Sequence, residues 1–108
     1  HGVTPPKTWP ELIASAKKIV AAENNPRRNG FLYQAKQAEV LVCDLVEFLG
    51  SQGKVLDSAG NVVINNDYGK RTARLMNDLI FKDKISPKEV NTFDEEPSRT
   101  VFTDGNAV

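Results

Sequence analysis

The chain has one cysteine, one histidine, one methionine and one tryptophan among its 108 residues. A lone cysteine, Cys43, cannot close an internal disulfide. With His1 as the sole histidine, neither a usual zinc site nor a Cys–His catalytic pair can be assembled without recruiting that residue. Net charge is lacking too: 14 basic residues balance 14 acidic ones, so no bulk field draws the chain to nucleic acid or an anionic membrane. No apolar run exceeds four residues, as in residues 40–43, which excludes a helical membrane span. No secretory leader is visible, and the reading of compartment leans to the cytoplasm.

What is present is periodicity. Residues 31–49, FLYQAKQAEVLVCDLVEFL, read as a helix apolar around most of its circumference. Phe31, Ala35, Ala38, Val42, Leu45 and Leu49 form one stripe; Lys36, Gln37, Asp44 and Glu47, with Tyr33 near them, mark the wet side. Such a helix is either the centre of its own domain or shares a flank with a partner. Upstream, Thr8 and Glu11 stand at capping-box spacing with Pro10 in the first turn, predicting a helix over 9–23 that ends at Asn24-Asn25-Pro26. Gly50 is the expected cap of the second helix. Residues 54–65 hold two β-prone runs around Asp57-Ser58-Ala59-Gly60 and predict a β-hairpin. Asn66 or Asp67 then caps a third helix reaching about Phe81, and Ser86-Pro87-Lys88-Glu89 opens a short fourth at 87–92.

The predicted fold is mainly α: a small three- to four-helix domain in which helices 1 and 3 pack on the long helix 2, with the hairpin between helices 2 and 3. Its core is expected to be dominated by Trp9, Leu12, Ile13, Ile19, Val42, Leu45, Leu49, Leu75 and Leu79. Residues 1–7 form a flexible arm, 8–92 the single domain and 93–108 an acidic, loosely ordered tail, in which residues 99–103 could pair with the hairpin as an edge strand.

Two short resemblances were weighed against the rest of the sequence. His1-Gly2 resembles the opening of copper-dependent polysaccharide monooxygenases, which also require a second histidine that this chain lacks. Residues 7–13, KTWPELI, are similar to the start of the potato inhibitor I family, but a long apolar stretch stands where that family's inhibitory loop belongs. Counted from Asp57, a calcium loop would place Val62 at its glycine position and Tyr68 at its glutamate. No phosphate-binding glycine loop or catalytic triad can be drawn. The chain is therefore expected to be non-enzymatic, with no metal and no cofactor.

A small neutral domain of this kind reads first as a protein-interaction or assembly module. Its partner would be another protein or a second copy of itself, held through Val40, Leu41 and Phe48. The alternative is a nucleic-acid-binding or regulatory domain using Lys70, Arg71, Arg74 and Asn77, with Arg27 and Arg28 on phosphates. A third reading is a piece of a longer structural or viral protein.

Overall fold

The structure, a computed structural model, describes residues 1–108. It is mainly α. Helices α1 (Trp9–Glu23), α2 (Glu39–Gln52), α3 (Asp67–Phe81) and α4 (Glu95–Thr103) follow in order, with a 3-10 turn at Lys88–Thr92 before α4. Two helix starts follow their local chemistry. Thr8 Oγ1 accepts the Glu11 amide at 3.3 Å, while the Glu11 carboxylate reaches back to the Lys7 amide at 2.7 Å, one residue before the expected partner. Asn66 Oδ1 accepts the Gly69 amide at 3.0 Å and opens α3.

The second helix is the main correction. It starts at Glu39, and residues 31–35 run extended instead. Their backbone is taken by a distant part of the chain: Gly30 and Phe31 amides donate to the Ile85 carbonyl at 2.8 and 3.0 Å, Ala35 to Val90 at 3.0 Å and Lys36 to Phe93 at 3.1 Å. The breadth of the apolar face thus arises from two elements read as one. Tyr33, assigned to the wet side, is buried, and Val42, assigned to the core stripe, is 59% exposed. The helix also runs past Gly50 to Gln52, and Gly53 is the glycine that matters: a Cβ there would lie 2.5 Å from the Tyr68 ring.

The core gathers Ala16, Tyr33, Phe48, Leu79, Ile80, Ile85, Val90 and Phe93. Of the expected set, Leu49 and Leu79 are buried, and Trp9, Leu12, Ile13 and Leu75 pack partly buried against this cluster. Helices α2 and α3 pack on each other. Helix α1 does not lie along α2 but meets it through Trp9, whose ring stacks on Phe48 with centroids 4.7 Å apart and whose Nε1 donates to Ser51 Oγ at 2.8 Å.

The hairpin does not form. Residues 54–65 carry a single antiparallel bridge, Leu56 with Val62, and both side chains are exposed. Two short runs with no sheet or helix to lie against cannot gain enough burial to become strands. Asp57 organises the turn instead, accepting the Ala59 and Asn61 amides at 2.9 and 2.8 Å and the Asn61 side-chain amide at 2.9 Å.

Residues 93–108, expected as a loose tail, contain α4, and residues 99–103 are helical rather than an edge strand. Glu95 and Glu96 suit the positive end of the helix, and Pro97 sits in the first turn, where its missing amide has no partner to lose. Beyond α4 the chain pairs in parallel with residue 29: Asn29 donates to Asn106 and Val108 to Asn29, at 2.9 and 3.0 Å.

Candidate functional site

The residues singled out from the sequence do not converge. Phe48 is buried in the core, while Val40 and Leu41 are half-buried at the start of the same helix. Arg28 is engaged inside the molecule: its guanidinium pairs with Glu23 at 2.5 Å and donates to the Gly105 carbonyl. Arg27 borders a surface hollow with Pro87, Glu89 and Asn106, none of which lies on α3. On α3, Arg71 lies over the Tyr68 ring at 4.7 Å, Lys70 faces Asp67 at 3.8 Å, and Asp78 pairs with Lys82 rather than Arg74. Arg74 and Asn77 are exposed, and Asn77 borders an apolar groove with Met76 and Asn91.

A different set of residues does converge. A hollow of about 420 Å³ is lined by Trp9, Phe31, Tyr33 and Phe48 on its aromatic side and by Gln34, Asp44, Glu47 and Ser98 on its polar side. The extended segment supplies Phe31, Tyr33 and Gln34, helix α2 supplies Asp44, Glu47 and Phe48, and α4 supplies Ser98. The polar ends of the two amphipathic rings are already used: Trp9 Nε1 on Ser51, and the Tyr33 hydroxyl donating to the Met76 carbonyl at 3.1 Å. Trp9, which is half-buried, therefore offers apolar surface, and the buried Tyr33 backs it. Burial, with Asp44 adding to it, pushes Tyr33 up to about 12, so its hydroxyl stays a neutral donor.

The carboxylates and the amide retain hydrogen-bonding capacity. Asp44 Oδ2 accepts the Gln34 backbone amide at 2.6 Å, leaving its other oxygen free. Glu47 and the Gln34 side chain make no hydrogen bond within the protein, and Ser98 Oγ, which donates to the Asp94 carbonyl at 2.8 Å, can still accept. No basic side chain lines the hollow. Aromatic surface facing a few convergent acceptors is the make-up of a pocket for a hydroxyl-rich small molecule. A second hollow, about 470 Å³, also borders Trp9, but it has one ring and no carboxylate. No cluster of histidine, cysteine and acidic side chains in the structure is suited to hold a metal ion.

The sequence profile described as "Bacterial extracellular solute-binding protein" matches residues 1–108, the whole of the chain. The chain belongs to this family. A protein of Deinococcus radiodurans described as "Probable ABC transporter-binding protein" is 36% identical over 107 residues, covering 95% of the chain and 25% of that protein. Among solved structures, the maltose-bound MalE3 of T. maritima is 43% identical with a TM-score of 0.88, covering 97% of the chain and 26% of that protein. An ABC transporter solute-binding protein of Thermotoga lettingae, bound with alpha-D-tagatose, is 25% identical with a TM-score of 0.80, again covering 97% and 26%. The chain thus spans about a quarter of the length of these relatives.

Membership of this solute-binding family overturns four expectations. The chain is neither a protein-interaction and self-assembly module nor a nucleic-acid-binding domain, a second copy or a nucleic acid is not its partner, and the lean to the cytoplasm gives way to an extracellular family. The family is one of binding proteins rather than enzymes. Asp44 and Glu47 were hidden because, on a single long helix, they fall on its solvent side, and Gln34 because it stands as a single polar residue on the apolar flank between Leu41 and Leu45. The available signal was Gly30 followed by Phe31, Tyr33 and Ala35 at strand period.

Proposed function

We propose that this chain forms part of an extracellular sugar-binding protein of an ABC transporter, and that the hollow between the extended segment, α2 and α4 is its contribution to the sugar site. The observation that carries the reading is the likeness to the maltose-bound relative, at TM-score 0.88 and 43% identity over 97% of the chain. The chemistry of the hollow agrees with it. A sugar ring has apolar C–H faces that lie against aromatic surface and hydroxyls that donate to carboxylates. The Asp44 and Glu47 carboxylates, without a lining cation, favour a neutral sugar over a phosphorylated one. In this role the protein binds its solute unchanged and presents it to the transporter.

The test is calorimetric titration of the whole protein containing this chain with maltose and with tagatose. Removing the Glu47 carboxylate as Glu47→Gln, which disturbs no hydrogen bond of the fold, is expected to weaken the bound sugar by about ten- to a hundredfold, the cost of one hydrogen bond to a charged group. Unchanged affinity in this variant would remove the hollow from the sugar site.

A further inference from the structure

Resting on that reading, we propose that the Lys36–Asp94 ion pair is a positioning clasp for the sugar site, fixing how Gln34 and Ser98 face the hollow. Lys36 follows Gln34 by two residues, at the bend that ends the extended segment, and its Nζ lies 2.5 Å from Asp94 Oδ2. Asp94 is the N-cap residue of α4. An aspartate at this position ordinarily turns back to cap; here the Lys36 ammonium is its foremost partner, ahead of the Glu96 amide. The Asp94 carbonyl meanwhile accepts the Ser98 hydroxyl at 2.8 Å. One residue therefore connects the two polar flanks of the hollow, Gln34 through Lys36 and Ser98 directly.

The remaining bonds of the segment show what the clasp controls. Asp44 holds the Gln34 amide at 2.6 Å, and the Val90 and Phe93 carbonyls hold the Ala35 and Lys36 amides at 3.0 and 3.1 Å. These fix the path of the backbone up to Lys36. The following turn, in which the Ala38 amide donates to the Lys36 carbonyl at 2.7 Å, leads into α2 without a side-chain cap. The ion pair is the side-chain tie at this junction. Its two hydrogen-bonded partners hold each other charged: the Asp94 side chain pushes Lys36 above its ordinary range, and Lys36 holds Asp94 below its own. The pair is half-exposed, at 50% and 30%, and exposed ion pairs contribute little to global stability. Its effect is therefore expected in the site rather than in the fold.

The experiment compares Lys36→Met, Asp94→Asn, their double variant and Lys36→Arg with the parent and Glu47→Gln, in the whole protein, by maltose titration and thermal denaturation. The clasp predicts a loss of affinity of about three- to tenfold in each single variant, no further loss in the double variant, near-parental affinity in Lys36→Arg, and melting temperatures close to the parent throughout. If Glu47→Gln weakens maltose while the Lys36 and Asp94 variants do not, or if their losses add, the clasp is wrong and the sugar site stands. If the parent does not bind maltose, or Glu47→Gln leaves its affinity unchanged, the site and the clasp fall together.

Discussion

The burial of single side chains decides which face of this chain is structural. Phe48 is 5% exposed and touches Trp9, Tyr33 and Phe31 with ring centroids 4.7, 5.5 and 6.4 Å away. Phe48→Ala removes the ring on which all three converge, so we expect a loss of about 3–5 kcal/mol in denaturant unfolding of the whole protein, with its solution mass unchanged. A change in association state instead would restore Phe48 to a subunit interface. Gly30 is a second such position: a Cβ there would stand 2.8 Å from the Ala16 Cβ and 3.1 Å from the Ile85 Cβ. Neither neighbour has a flexible end to withdraw, and Gly30→Ala is expected to cost about 1–3 kcal/mol by overpacking. These residues were hard to place from sequence because Gly30 is wedged between Ala16 and Ile85 and the Tyr33 hydroxyl reaches the Met76 carbonyl, partners far from them along the chain. Local periodicity carries no trace of such contacts.

At the scale of elements, legibility follows how local the deciding interactions are. Helix α1 and helix α3 have the bounds their capping residues predict, since Thr8 and Asn66 act on amides three residues away. Thr8→Ala is accordingly expected to destabilise by about 1 kcal/mol. The start of α2 was not legible, because the amides of Phe31, Ala35 and Lys36 are held by the carbonyls of Ile85, Val90 and Phe93. The 57–61 turn is legible chemistry that failed to become a hairpin. Asn61, first through its side chain and then through its backbone, holds the Asp57 carboxylate below its ordinary value of 3.8. A carboxylate lowered on folding supports order above that ordinary value, and the support disappears as pH falls through the lowered one. The protection factor of the Asn61 amide, its intrinsic exchange rate at each pH divided by the observed one, should thus stay high at neutral pH and fall in acid, while Asp57→Ala lowers it throughout. A protection factor independent of both would show that the carboxylate does not organise the turn.

The whole molecule carries more surface than its mass warrants. A compact monomer of 11.9 kDa exposes about 5,900 Å² and has a radius of gyration near 13 Å. This chain exposes 7185 Å², has a radius of gyration of 14.8 Å and extends over 49 × 28 × 21 Å. The excess, about 1,300 Å², falls within the usual span of an interface between domains of one chain, and Val42, Val46, Phe81 and Phe102 are among the large apolar side chains left exposed. Residues 29 and 107 form one isolated parallel bridge with no further strand beside it, whereas parallel pairing elsewhere occurs in sheets covered on both faces. The similar solved structures are about four times as long, and on the proposed reading the further chain of a protein of that length would cover this surface. Residues 1–108 produced alone are therefore expected to bind a hydrophobic dye and to lose helix gradually on heating, whereas the whole protein unfolds in a sharp transition. Circular dichroism with dye fluorescence distinguishes the two. A sharp transition without dye binding in the isolated chain would mean that this surface is native as it stands and that the hollow needs no neighbour to complete it.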